Sequence, residues 1–137
     1  MSSAPRRQML VQIEHIALVT SDLERLCVFY RQLGAVVSRA FTDSDTGLRS
    51  SVFDFCGTRL EVFERPGSSA DMAGDERSLG LIHVGFALGS ADAVDELTAV
   101  LAAAGHRVLE PPHRSGEPGR YESVVLGPDG NRVKLTV

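Results

Sequence analysis

Blocks of positive charge are scarce in this sequence. None appears beyond Arg6-Arg7, and the formal net charge is −4. That balance speaks against a nucleic-acid surface. Long apolar runs are missing as well, since nothing approaches the roughly 20 residues that a membrane span takes. The first ten residues, "MSSAPRRQML", lack the apolar stretch of a signal peptide. The expected location is therefore the cytoplasm, with residues 1–10 a flexible start. Cysteine is sparse: Cys27 and Cys56 are the only two, and they are not spaced as a metal pair. Cys27 falls among apolar helical positions, so two buried free thiols are expected rather than a disulfide.

What is present fits one compact domain. The chain has 137 residues, 43% hydrophobic and 23% charged, ordinary values for a globular protein of this size. Residues 11–19, "VQIEHIALV", read as a strand with His15 near its middle. An S-x-x-E capping box, Ser21 with Glu24, opens a helix that Gly34 closes. Leu23, Leu26, Cys27, Tyr30 and Leu33 recur at helical spacing and form its buried stripe. Strands follow at "AVVSRAF", "SVFDF" and "RLEVFE", the last two joined by "CGT". The order is β, α, β, β, β.

Residues 81–88, "LIHVGFAL", begin the unit again, with His83 where His15 stood. Ser90 caps a second helix whose stripe is Val94, Leu97, Leu101 and Ala104, and Gly105 ends it. "HRVLE" is expected as a strand and "EPPHRSGEPGR" as a surface loop or a lid. "YESVVL" and "RVKLTV" form a hairpin across "GPDGN". Glu61 stands four residues after Gly57, and Lys134 four after Gly130. Such self-similarity implies a duplicated supersecondary unit, with module 1 over 11–64, a linker over 65–78 and module 2 over 79–137.

Strand parity selects the residues that look the same way. Side chains alternate between faces, so Arg59, Glu61 and Phe63 oppose Leu60 and Val62. In the last strand Arg132, Lys134 and Thr136 oppose Val133, Leu135 and Val137. His15 and His83 likewise oppose the apolar sets of their own strands. Four polar residues, one per strand, thus share the face turned away from the helices. In the terminal hairpin Val124 should lie opposite Lys134, which puts Glu122 on that same inward face.

With "IEHIALVTSDLERLCVFYRQLGA", "GTRLEVFERPG", "LIHVGFAL" and "YESVVLGPDGNRVKL" in this order, the chain resembles the vicinal oxygen chelate superfamily of glyoxalase I, bleomycin-resistance proteins and extradiol dioxygenases. The resemblance covers nearly everything from residue 11 onward. It implies an α+β fold of two tandem βαβββ modules forming a curled mixed sheet around a cavity, with helices on the outer face. It also implies a single glyoxalase/bleomycin-resistance-like domain over 11–137 and a homodimer, its modules paired within one chain or across two. By position, His15, Glu61 and His83 match three of the family's metal ligands, and Lys134 stands where a fourth, a glutamate, is usual.

Two imidazoles and a carboxylate suit a divalent transition metal (Zn, Ni, Fe or Mn) and leave positions open for a substrate. The ammonium opposes the ion: two unit charges 4 Å apart interact by roughly 4 kcal/mol at an effective dielectric near 20, and a dication meets about twice that. Three outcomes stay open. Lys134 loses its proton, it swings away, or it replaces the ion as Glu61's partner. Glu122 offers a further route, pairing with Lys134 or moving a proton beside the bound oxygens. Glu122 and Lys134 are accordingly the candidate catalytic residues.

Two function classes follow from the resemblance. One is an enzyme similar to glyoxalase I in mode, a lyase or isomerase acting on a vicinal-oxygen substrate through an enediolate, with ring cleavage as the weaker variant. The other is a metal-free protein that sequesters a small molecule, as the bleomycin-resistance branch does. Either way the expected partner is a small molecule, not nucleic acid or membrane. Elsewhere, Arg49 and Arg120 are expected to be solvated or to hold an anionic group. His106 and His113 are expected at the surface, and Phe41, Phe53, Phe55, Phe63 and Phe86 chiefly in the core.

Overall fold

In the computed structural model, residues 11–68 and 81–137 are described. Residues 1–10 and most of the expected linker lie outside that range. The first module runs β1 (His15–Thr20), α1 (Leu23–Gln32), β2 (Val36–Val37), β3 (Phe41–Thr42), β4 (Arg49–Phe55) and β5 (Thr58–Glu64). The second runs β6 (Val84–Ala87), α2 (Ala91–Ala103), β7 (Val108–Arg114), β8 (Tyr121–Leu126) and β9 (Arg132–Thr136). The expected order appears in both, with the second strand of module 1 broken into β2 and β3.

Each module makes its own mixed sheet, ordered β1-β5-β4-β2, with β3 also on β4, and β6-β9-β8-β7. Among the described residues no strand pairing joins the two sheets, and β1 and β6 are edges. The first and last strands of each module run parallel. Ala17 stands opposite Glu61, and Gly85 opposite Lys134. This equal offset puts His15 and His83 at equivalent places, as the repeat implied.

Local chemistry accounts for the ends of the elements. Asp22, not Ser21, caps α1, accepting a hydrogen bond from the Arg25 amide at 3.2 Å. The Glu64 carboxylate accepts from the Leu23 amide at 2.8 Å. A carboxylate from the neighbouring strand thus takes the place expected of a capping box and suits the positive end of the helix dipole. Gly34 follows the C-cap residue Leu33 with φ +94°, the left-handed geometry of a helix-ending glycine. Ser90 caps α2 as expected, accepting from the Ala93 amide.

The edge strand β7 runs through Pro111 and Pro112, where a loop was expected from the prolines. Two register shifts along it absorb residues that cannot donate to a ladder. His113 therefore stands in a strand, opposite Glu122, rather than in a surface loop.

The core is shared by the modules. Leu26, Phe29, Tyr30, Phe53, Val62 and Leu135 are among its buried members. Tyr30 packs on Phe53, Phe55 and Phe86, and the Phe55–Phe86 ring centroids lie 4.9 Å apart across the two modules. Phe41 is exposed, contrary to its expected place in the core, because β3 is only a two-residue edge. Cys27 is buried but Cys56 is exposed.

Cys56 lies in a two-residue hairpin between Phe55 and Thr58, where it and Gly57 have φ +51° and +97°. Such turns favour Asn-Gly, and a non-glycine residue in the left-handed region carries a cost. Cys56→Asn is expected to stabilise the fold by about 0.5–1 kcal/mol, raising Tm by roughly 2–4 °C. Thermal denaturation checks this, and an unchanged or lower Tm would reject it.

Candidate functional site

The inward face of the first sheet brings His15 and Glu61 together. One imidazole nitrogen, Nε2, lies 3.4 Å from Glu61 Oε2, and the other, Nδ1, lies 3.2 Å from Glu14 Oε2. Glu14 in turn pairs with Arg59. Glu14, His15, Val52, Arg59 and Glu61 line a hollow of about 100 Å³. Glu14's part was not foreseen: in the strand expected over 11–19 parity turns it away from His15, whereas the observed strand begins only at His15.

The inward face of the second sheet carries the other half. Val124 lies opposite Lys134 as expected, and Lys134 Nζ is 3.5 Å from Glu122 Oε2. Both side chains are largely buried, 24% and 11% exposed. Arg132, two residues before Lys134, is 3.6 Å from Glu110. His83 stands just before β6 rather than inside a strand. Although the residue is exposed, its pKa is lowered, first by partial desolvation and then by the positive charges of Lys134 and Arg132. A neutral imidazole at near-neutral pH is the form that can donate a lone pair.

Within one chain, then, the residues gather as two half-sites. Among the described residues no three His, Cys, Asp or Glu side chains converge closely enough to share an ion. His15 meets Glu61, while His83 belongs with Lys134 on the other sheet. Between the modules lies a groove of about 610 Å³, bounded by Ile13, His15, Phe55, Arg59, Gly85 and Phe86 among others. The apolar residues leading into the two histidines, Val11 and Ile13 before His15 and Leu81 and Ile82 before His83, are all exposed.

Other candidates have structural roles. Arg49 pairs with Glu24 and Glu64, and Arg120 with Glu117. His106 is half-buried rather than superficial, its ring 4.8 Å from Phe29 in an edge-on contact. Burial lowers its pKa. Protonation therefore favours the unfolded chain, and the stability His106 contributes is lost as pH falls below the unfolded value of about 6.5. His106→Phe should keep the ring contact and flatten the stability profile in that window. Urea denaturation at pH 7.5 and 5.5 measures the slope, and an equal slope in both proteins would contradict the assignment.

The comparisons agree with this architecture. Residues 12–135 match the Glyoxalase/Bleomycin resistance protein/Dioxygenase superfamily, and the chain belongs to it. No curated protein matches the chain in sequence. Among solved structures, a glyoxalase family protein from Bacillus cereus is similar at TM-score 0.76 and 17% identity, covering 97% of each chain. One from Enterococcus faecalis is similar at TM-score 0.74 and 23% identity, covering 92% of this chain and 97% of that one. The fosfomycin resistance protein FosX from Listeria monocytogenes, complexed with Mn(II) and sulfate, is similar at TM-score 0.69 and 19% identity, covering 94% of this chain and 93% of that one. At these identities the likeness is one of fold. No described helix is long and apolar enough to cross a membrane.

Proposed function

We propose that the protein is a cytoplasmic small-molecule enzyme whose metal site is completed between two copies of the chain. His15 and Glu61 of one copy would hold a divalent transition metal together with His83 of the other. The observation that carries this reading is the 3.4 Å approach of His15 Nε2 to Glu61 Oε2. Two donors about 2.1 Å from one tetrahedral ion stand roughly 3.4 Å apart, so this pair fits an ion. His83 supplies the third donor from the equivalent place in the second module. The exposed apolar residues before both histidines suit burial against a second copy.

Lys134 is compatible with that ion because Glu122 neutralises it. At 3.5 Å the carboxylate offsets the ammonium's charge, which removes most of the repulsion that an unpaired lysine would exert. An ion held by these residues would supply Lewis-acid stabilisation to negative charge developing on a hydroxy-carbonyl substrate. The chain's own contribution is the proton. Glu122, buried and paired with Lys134, would accept it from the adjacent carbon and return it one atom further along. That sequence is lyase or isomerase chemistry of the glyoxalase kind. FosX, a solved relative in fold, is complexed with Mn(II).

A second reading has its own support. Lys134 in the place of a carboxylate, with no three donors gathered among the described residues of one chain, favours a metal-free binder that sequesters a small molecule. Metal analysis of untagged protein separates the two. About one equivalent of transition metal per chain, bound by the dimer, is expected for the enzyme. No metal, with none taken up from added Mn(II), Zn(II), Ni(II) or Fe(II), would leave the binder.

A further inference from the structure

Lys134 is the chain's only lysine; the other thirteen basic residues are arginines. A guanidinium serves wherever a fixed charge is enough, whereas a primary amine gains a nucleophilic lone pair on losing a proton. This one amine stands on the inward face of the second sheet, beside the buried carboxylate of Glu122. Val124, 2% exposed, lies opposite it and gives an apolar floor. On the other side, paired with Lys134 across β6 and β9, is Gly85. Gly85 is not among the glycines with positive φ, so its backbone does not demand a glycine. A Cβ built there would meet nothing within 4 Å. The missing side chain therefore leaves open space at the strand position paired with Lys134.

We propose that Lys134 captures small aldehydes or ketones as a Schiff base, with Glu122 moving the protons and the space over Gly85 receiving the substrate. Glu122 takes one proton from the ammonium. The freed lone pair attacks the carbonyl carbon, a C–N bond forms, and the nitrogen's proton passes to the oxygen to give a neutral carbinolamine. Glu122 returns its proton to the hydroxyl, the C–O bond breaks, water leaves, and nitrogen closes the double bond as an iminium. Ammonium plus carbonyl becomes iminium plus water, with no oxidant or reductant. The cation then draws electrons from the neighbouring C–H bond, which gives the site a route to proton abstraction through its own side chains. The inference uses the second sheet alone and does not rest on the shared metal site.

Borohydride trapping tests it. The full-length protein is incubated with glycolaldehyde or pyruvate in the presence of EDTA, reduced, and mapped by peptide mass spectrometry. The α-amino group is the only other primary amine and serves as an internal reference. Lys134 should be labelled about tenfold or more faster than in urea-unfolded protein. Glu122→Gln should slow labelling by about tenfold or more, and Gly85→Val should block it while leaving the fold intact by circular dichroism. Lys134→Arg keeps a cation beside Glu122 and should show no label there. Labelling no faster than in the unfolded chain, or at the wild-type rate in both Glu122→Gln and Gly85→Val, would overturn the proposal. Metal content measured on the same preparations before EDTA is added keeps the two readings apart: unlabelled Lys134 with bound metal sinks only the Schiff base, and labelled Lys134 in protein purified without metal and taking none up sinks only the shared ion.

Discussion

Glu122→Gln should lower turnover of a vicinal hydroxy-carbonyl substrate by about 10²–10⁴-fold, the range for removing a general acid–base group. The substitution is close to isosteric, so packing around this 11% exposed side chain persists. An amide oxygen still accepts from Lys134, but it takes no proton. The loss should therefore fall on kcat more than on KM, with the circular dichroism spectrum unchanged. A second consequence follows from the 3.5 Å pair. With its counter-charge gone, Lys134 repels a dication, so metal affinity should fall as well. Wild-type turnover in this variant would remove Glu122 from the chemistry.

Phe29→Ala should cost about 3–5 kcal/mol of stability, the range for emptying a buried aromatic site. At this chain length that lowers Tm by roughly 10–20 °C. Phe29 is 1% exposed and touches both modules: Tyr30 with centroids at 5.0 Å, His106 at 4.8 Å, and the backbone around Gly127. It is the wedge by which α1 grips the second module, assisted by the bonds from Arg25 to Pro128 and Asp129. Calorimetry on the variant measures the cost. A loss below about 1 kcal/mol would mean that the modules are held together elsewhere.

Phe29 also shows where sequence reasoning stops. The helical stripe of Leu23, Leu26, Cys27 and Tyr30 was legible because a helix facing one sheet buries residues at three- and four-residue spacing. Phe29 lies off that stripe, buried by the second module, and a periodicity within one element carries no information about a neighbour on its other side. The pairing of Lys134 with Glu122 was legible for the opposite reason, since a short hairpin determines both register and face. His15 with Glu61 followed from parity and the repeat. The separation of His83 from that pair did not, because the relative placement of two modules depends on packing between them and not on either module's pattern. His113 was hidden by its neighbours. Two prolines read as a loop, yet an edge strand tolerates them through register shifts.

Whether two chains share one ion is decided most directly by mixing His15→Ala with His83→Ala. Each homodimer alone should bind no tightly held Mn(II) or Zn(II). If the site is built from module 1 of one copy and module 2 of the other, a mixed dimer contains one intact set of donors. Equal parts, dissociated and reassembled at random, should then recover about one ion per four chains by two-fold symmetry. Metal binding that stays absent after exchange, in a sample shown to contain mixed dimers, would contradict a shared site.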